Sequence, residues 1–134
     1  MRVKQISVFV QNQPGRLLAI LEALEKVGIS IRALSISESG EFGIVRMVVP
    51  EPDKGLEALR KAGFTVRMDW ILASEIPDIP GGLLNTVVRP LSEAGMNLKY
   101  FYAYADPATG KAIVVLKTDD LEKAEKILES GKNS

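Results

Sequence analysis

The strongest constraint on the fold is an internal repeat, because two copies of one segment are expected to fold alike. The segment Pro14–Leu18 reappears as Pro80–Leu84, at an offset of 66 positions. Three further matches follow in the same order, at offsets of 67, 69 and 68: Gly28–Ile31 with Gly95–Leu98, Ile44–Val45 with Ile113–Val114, and Gly63 with Gly131. This order predicts two copies of a unit of about 65 residues. We therefore expect a first domain over residues 1–68 and a second over residues 69–134.

The hydrophobic periods predict the elements of the first copy. Apolar residues alternate before Gln11, which is typical of a strand. Leucines at helical spacing follow Gly15 and predict a helix that ends at Gly28 as its C-cap glycine. A second helix is predicted from Pro52 to Gly63. The strands are predicted at Gln5–Gln11, Ile29–Ser37, Phe42–Val49 and Phe64–Arg67.

The second copy repeats this pattern with two departures. Its strands are predicted at Trp70–Glu75, Met96–Tyr104 and Lys111–Thr118, and its helices at Gly82–Ala94 and Leu121–Ser130, the latter capped by Asp119 or Asp120. The first helix is one residue longer than its counterpart and contains Pro90, which lacks an N–H, so we expect a kink or a π-bulge there. The chain after Gly131 is too short for a fourth strand. The second sheet is then three-stranded, or its edge is covered by another chain or by the other copy.

The resulting fold class is α+β. The order β-α-β-β-α-β defines a ferredoxin-like unit, so two such units in tandem are predicted, with antiparallel sheets and helices on one face. A unit of this size buries only about 60% of its unfolded surface and is marginal alone. We therefore expect the copies to be closely coupled and the protein to form a homodimer.

Composition excludes several classes of function. The chain has 17 Lys plus Arg, 17 Asp plus Glu, and neither His nor Cys. A net charge of zero provides no basic field for nucleic acid or for a membrane surface. Without His or Cys, the commonest general base and the thiolate nucleophile are missing, so we expect no enzyme activity, no metal and no cofactor. No apolar run reaches membrane-spanning length and no signal peptide is recognised, which makes the cytoplasm the expected location.

The most informative local feature is the bend between the first strand and the first helix of each copy. It reads Asn12-Gln13-Pro14-Gly15-Arg16-Leu17 in the first copy and Asp78-Ile79-Pro80-Gly81-Gly82-Leu83 in the second. Glycine permits close approach of a ligand, and the amides at a helix N-terminus favour an anion such as a carboxylate. Asn12 or Asp78 could accept from an ammonium group, so together these groups fit an α-amino acid. The alternative is a simple turn followed by a helix cap.

This duplicated loop, the Leu-rich helix and the following Gly-(Ile/Met)-(Ser/Asn)-(Ile/Leu) strand resemble the ACT domain over nearly the whole chain. The resemblance implies a regulatory module that binds an amino acid at interfaces between paired units. It implies ligand contacts at Asn12, Gln13, Pro14, Gly15, Arg16 and Leu17, and at Asp78, Ile79, Pro80, Gly81, Gly82 and Leu83.

Two functional alternatives stay open. The chain could be the regulatory subunit of a separately encoded amino-acid biosynthetic enzyme, with ligand binding secondary. An acylphosphatase-type enzyme shares the fold, and Arg16 follows the turn, but the Gly-rich phosphate cradle is absent. Alternation in Tyr100–Ala105 places three tyrosines on one face, for packing or for the ligand pocket. Phe101, Ala103 and Ala105 are placed on the other face, whose small residues suit packing under the helices. Finally, Gly82 at the position of Arg16 predicts a roomier second loop.

Overall fold

The computed structural model describes residues 1–106 and 109–132, and its elements follow the predicted order. The strands are β1 (Arg2–Gln11), β2 (Ala33–Ser39), β3 (Phe42–Val48), β4 (Thr65–Pro77), β5 (Leu98–Asp106) and β6 (Lys111–Thr118). The helices are α1 (Arg16–Lys26), α2 (Pro52–Lys61), α3 (Arg89–Glu93) and α4 (Leu121–Lys132), with a π-helical segment at Leu84–Val88 directly before α3. The predicted α+β class with two ferredoxin-like units is confirmed.

The first compact unit is Lys4–Trp70. Its antiparallel strands lie in the order β2-β3-β1-β4, with Val8 opposite Val45 and Leu34 opposite Met47. The core lies between this sheet and the two helices α1 and α2. Its fully buried side chains come from alternate positions of β1 and β3 and from one stripe of each helix, and they include Ile6, Val8, Ile20, Leu24, Val45, Met47 and Leu59.

The second compact unit combines Met1–Val3 with the chain from Ile71 onward. Strand β6 lies between β4 and β5, and all three are antiparallel. The Ala73 amide donates to the Met1 carbonyl oxygen at 2.8 Å, and the Met1 amino group donates back to the Ala73 carbonyl at 3.3 Å. The sequence left three possibilities for the edge of this sheet: uncovered, covered by another chain, or covered by the other copy. The structure has the last of these, because residues of the first predicted copy lie beside β4.

The core of the second unit lies under the helical side of its sheet. Its buried members come from β4, β6, the π-helical segment, α3 and α4, and they include Leu72, Ile76, Val87, Leu91, Val114, Leu116, Ala124 and Leu128. The predicted cap of α4 is Asp120, whose carboxylate accepts from the Lys123 amide at 3.1 Å. The Arg2 guanidinium pairs with Glu125 of α4 at 3.1 Å, which ties the first residues of the chain to this helix.

Strand β4 corrects one prediction. Phe64–Arg67 and Trp70–Glu75 were expected to be two strands, but a single strand of 13 residues runs through both. No glycine or proline interrupts residues 66–71, and the alternation continues: Val66 and Met68 pack on the first core, while Arg67 pairs with Asp69 at 2.9 Å. The boundary between the two compact units falls between Trp70 and Ile71, inside this strand. The division at residues 68 and 69 stays a prediction for separately folding domains.

The helix that contains Pro90 has the irregularity that its extra residue predicts. Residues Leu84–Val88 are π-helical, and the Arg89 amide donates to the Leu84 carbonyl, five residues back. A π-bulge absorbs one extra residue without unwinding the helix. The predicted π-bulge is therefore confirmed, and the longer helix of the second copy keeps the same ends as its counterpart.

Hydrogen bonds at the starts of α2 and α4 show that the offset between equivalent residues of these two helices is one larger than the sequence match predicts. The Gly55 amide donates to the Glu51 carbonyl at 3.0 Å, and the Ala124 amide donates to the Asp120 carbonyl at the same distance. The buried Leu59 and Leu128 each follow four residues later. These equivalences give an offset of 69, whereas matching Gly63 to Gly131 gives 68. The sequence comparison misses this shift because the last turns of the two helices differ.

The aromatic strand β5 divides between two faces as its alternation predicts. Tyr102 lies opposite Val115, and Phe101 lies opposite the core residue Leu116. However, Phe101 remains 47% exposed, because β5 is the last strand of its sheet and the core cluster of the second unit does not include it. Ala103 and Ala105 are exposed as well, so the expectation that the small residues of this face pack under the helices is wrong.

Candidate functional site

The first predicted loop connects β1 to α1 through a left-handed glycine. Gly15 has φ +88°, a conformation that side chains disfavour, and a Cβ there would meet nothing within 4 Å. The glycine is therefore required by the backbone conformation and not by lack of space. The Arg16 amide donates to the Gln13 carbonyl at 3.4 Å, and the Ala19 amide donates to the Gly15 carbonyl at 3.0 Å. These two bonds close the turn and begin the helix.

The second predicted loop has the same backbone geometry. Gly81 has φ +81°, the Gly82 amide donates to the Ile79 carbonyl at 3.0 Å, and the Asn85 amide donates to the Gly81 carbonyl at 2.9 Å. Each of these bonds joins positions exactly equivalent to those of the first loop at the offset of 66. The duplicated motif is therefore a duplicated structure.

In the first loop the helix ladder begins at Ala19, so the amides of Leu17 and Leu18 lie ahead of it. The first amides of a helix have no intrahelical acceptor and carry the positive end of the helix dipole. Together they form a region of the loop that favours an anionic group.

Hydrogen bonds hold the Asn12 side chain in place. Its amide nitrogen Nδ2 donates to Glu38 Oε1 at 2.9 Å and to the Gly40 carbonyl at 3.4 Å, while its main-chain amide donates to the Glu41 carbonyl at 2.8 Å. Both side-chain donors are engaged, so Oδ1 is the atom that can accept from a ligand.

A cleft of about 360 Å³ opens beside the first loop. This first-loop cleft is lined by Gln11, Asn12, Gln13, Glu41 and Phe42. Its volume lies within the usual range for small-molecule sites. Asn12 and Gln13 are thus the predicted residues that line it. Arg16 instead lines a separate cleft of about 380 Å³, with residues from α1 and the end of α2.

The second loop is tighter than the sequence predicts. A Cβ on Gly82 would overlap the carbonyl oxygen of Pro77, so the space that Arg16 has in the first loop is occupied by the chain itself. The expectation of a roomier second loop is therefore wrong. The Asp78 main-chain amide donates to the Gly110 carbonyl at 3.4 Å, and the side chains of Asp78 and Ile79 are exposed.

A cavity of the second unit is lined by residues that precede and follow this loop in the sequence. Its volume is about 450 Å³, and we call it the π cleft because the π-helical segment forms one wall. It is lined by Glu75, Ile76, Pro77, Asn85, Thr86, Pro90, Lys111 and Leu128. The predicted residues Asp78–Leu83 are not among these lining residues. Sequence reasoning missed the cleft, although Pro90 in a lengthened helix marks its location.

Within residues 1–106 and 109–132, no cluster of three or more Asp, Glu, His or Cys side chains could hold a metal ion. The helices described there are too short or too polar to cross a membrane.

Comparisons with known proteins agree with this architecture. The family model for the ACT domain pair matches residues 1–133. The solved structure of protein BT0572 from Bacteroides thetaiotaomicron is 34% identical over 98% of this chain and 90% of that chain, with a TM-score of 0.89. The regulatory subunit of aspartate kinase from Thermus thermophilus is 15% identical over 96% of this chain and 91% of that one, with a TM-score of 0.65. No curated protein matches significantly. The chain therefore belongs to the ACT domain family, as a pair of ACT domains.

Proposed function

We propose that this ACT domain pair is a regulatory protein that binds a free α-amino acid at its two strand-to-helix loops and catalyses no reaction. The proposed contacts are Asn12, Gln13, Pro14, Gly15, Arg16 and Leu17 in the first unit, and Asp78, Ile79, Pro80, Gly81, Gly82 and Leu83 in the second. The observation that carries the proposal is the exact duplication of the bend, with the same glycine conformation and the same two hydrogen bonds.

In the first loop, the two ends of a zwitterion would be recognised by different groups. The ligand carboxylate lies at the amides of Leu17 and Leu18, and the ammonium group donates to Asn12 Oδ1. A helix N-terminus contributes only about 0.3–1 kcal/mol, so the remaining affinity comes from Asn12 and from burial in the first-loop cleft. Phe42, which lines that cleft, provides an apolar surface for the ligand side chain.

The two loops differ in ways that predict unequal affinity. The first loop contributes Asn12 and Gln13 to a cleft, whereas the second loop packs against Pro77 and lines none of the clefts described above. Asp78 carries a charge where the first loop has a neutral amide. We therefore assign the stronger of the two loop sites to the first unit.

Calorimetric titration of the folded protein with the twenty standard amino acids tests the proposal. At least one of them is expected to bind, and Asn12→Ala is expected to weaken its binding at least tenfold because the ammonium acceptor is lost. The matched control is Asn97→Ala, which removes an exposed asparagine outside both loops. Binding that is equally strong in Asn12→Ala would contradict the first-loop site, and absence of any binding would contradict amino-acid sensing itself.

A second candidate function is regulation through a protein partner, as the regulatory subunit of a separately encoded biosynthetic enzyme. It is favoured by exposed leucines at equivalent positions of the two units, since Leu18 is 61% and Leu84 47% exposed. Exposed apolar side chains at repeated positions favour a protein interface. The simplest partner for this surface is a second copy of the chain, which would form a homodimer. The other candidate partner is an enzyme subunit. Light scattering of the pure protein, followed by co-purification from native extract, separates the two.

A further inference from the structure

The π cleft is a second kind of pocket, distinct from the loops. Its lining comes from the end of β4, the start of β6, the π-helical segment, α3 and α4, all within the second unit. At about 450 Å³ it is large enough for a small molecule. Its chemistry follows from three features: a main-chain carbonyl without its regular helical donors, an exposed ion pair and an apolar floor.

The carbonyl is the main-chain carbonyl of Asn85. In an α-helix it would accept from the amide of residue 89, but the Arg89 amide donates to Leu84. In a π-helix it would accept from residue 90, which is proline and has no N–H. The Asn85 carbonyl therefore receives neither of its helical donors, and both Asn85 and Pro90 line the cleft. A polar group in this position favours a ligand that brings a hydrogen-bond donor.

The ion pair joins Lys111 Nζ to Glu75 Oε2 at 3.4 Å. Both side chains are more than half exposed, at 55% and 56%, and both line the cleft. Exposed pairs of this kind add little to stability, so they are easily exchanged for other partners. A ligand with one positive and one negative group can insert between Lys111 and Glu75 and satisfy both charges.

The floor is apolar. Ile76 and Leu128 are buried members of the second core, and the Pro90 ring lies on the same cleft. Their arrangement suits a branched aliphatic group, which would be removed from water on binding. A charged or strongly polar side chain would lose its hydration at this floor without gaining a partner.

We propose that the π cleft is a separate binding site for an aliphatic α-amino acid. The ligand ammonium group donates to the Asn85 carbonyl and to Glu75, its carboxylate accepts from Lys111, and its side chain packs on Ile76, Pro90 and Leu128. The inference rests on the proposed function for the ligand class, but it assigns the ligand to a different part of the molecule.

The first test uses charge-neutral variants and calorimetry with L-leucine, L-valine and glycine. Lys111→Gln and Glu75→Gln are each expected to weaken leucine and valine binding at least tenfold. Glycine is expected to bind at least tenfold more weakly than leucine to the wild-type protein, because it has no side chain for the floor. The matched control is Lys54→Gln, since the Lys54–Glu51 pair has similar exposure and lies away from the cleft.

A second variant tests the role of the carbonyl. Pro90→Ala supplies an N–H that can bond to the Asn85 carbonyl, and it removes the proline from the helix. Leucine affinity is expected to fall several-fold while the melting temperature stays the same or rises. The unchanged melting temperature distinguishes a local effect in the π cleft, where the acceptor and the Pro90 ring are lost together, from a loss of affinity by unfolding. Unchanged leucine affinity in Pro90→Ala would overturn the assigned role of the carbonyl.

The outcomes separate this inference from the proposed function. Loss of binding in Lys111→Gln and Glu75→Gln, with Asn12→Ala unaffected, supports the π cleft and contradicts the first-loop site. Loss in Asn12→Ala alone supports the loop site and overturns the π cleft. Two binding events, each lost in its own variants, support both. If neither leucine nor valine binds the wild-type protein, the π cleft proposal is wrong.

Discussion

The amide of Ala73 donates to the carbonyl oxygen of Met1 at 2.8 Å, across 72 positions of the chain. The bond is reciprocated by the Met1 amino group, so the first residues of the protein serve as an additional strand of the second unit. A strand edge that carries unpaired amides is a site for unwanted association. Met1–Val3 thus protect the part of β4 around Ala73.

This arrangement predicts a local effect of removing residues 1–3. The Ala73 amide loses its acceptor, so its hydrogen exchange is expected to become at least tenfold faster, as measured by NMR. The matched control is Val45, a buried residue of β3 in the first unit, whose amide is expected to keep its protection. Equal acceleration at both amides would indicate global destabilisation and would contradict a local role for Met1.

Replacing Gly15 by alanine is expected to destabilise the protein through the backbone alone. The Cβ meets no atom within 4 Å, but a left-handed conformation costs a non-glycine residue about 1–2 kcal/mol. Urea unfolding measures the change in the free energy of unfolding. Gly43→Ala is the control, because Gly43 lies in β3 without positive φ and its Cβ would make only ordinary contacts. A cost in Gly43→Ala as large as in Gly15→Ala would exclude the conformational explanation.

The equivalent positions Arg16 and Gly82 are expected to respond differently to alanine. Gly82→Ala would force Cβ against the Pro77 carbonyl and is expected to cost about 1–3 kcal/mol of unfolding free energy, as overpacked sites do. Arg16→Ala replaces an exposed side chain and is expected to change stability by less than about 0.5 kcal/mol. Thermal unfolding of both variants checks this, and equal stabilities would show that the second loop relaxes freely.

Two buried hydroxyl groups are expected to reduce stability. Among the described residues, Ser74 Oγ and Thr118 Oγ1 are buried and have no hydrogen-bond partner. An unsatisfied buried polar group costs about 1–3 kcal/mol, so Ser74→Ala and the isosteric Thr118→Val are expected to raise the free energy of unfolding. Thr65→Val at an exposed position is the control and is expected to have little effect. Destabilisation by Ser74→Ala would mean that its hydroxyl is bonded, for example to a water in the adjoining void of about 10 Å³.

Much of the fold follows from local sequence signals. The alternating Ile6, Val8 and Val10 predict strand β1, and the leucine spacing predicts helix α1. The structure has both elements, and all three of these β1 residues pack in or on the first core. The π-bulge was predictable as well, because an extra residue and a proline in a repeated helix leave few alternatives. By contrast, β4 was predicted as two strands, since the search for two equal copies placed a boundary where the chain simply continues.

Of the candidate sites, one kind could be predicted from the sequence and the other could not. The Gly15 and Gly81 bends could be found from their repeated residues, because left-handed glycines have a recognisable local signature. The π cleft could not be found in this way, since Glu75, Asn85, Lys111 and Leu128 are distant in sequence and none of them is unusual alone. Likewise, the closeness of Pro77 to Gly82 depends on the path of the backbone, which composition and spacing do not encode.

The sequence by itself determined the repeated βαββα order, the two glycine bends and the irregular helix, because each depends on interactions among residues within a few positions of one another. Only the tertiary structure decided which strand lies beside Met1, how tightly the second loop closes, and where a cavity opens. These depend on how distant segments fill space together, and such packing is determined by the whole chain and not by any short pattern within it.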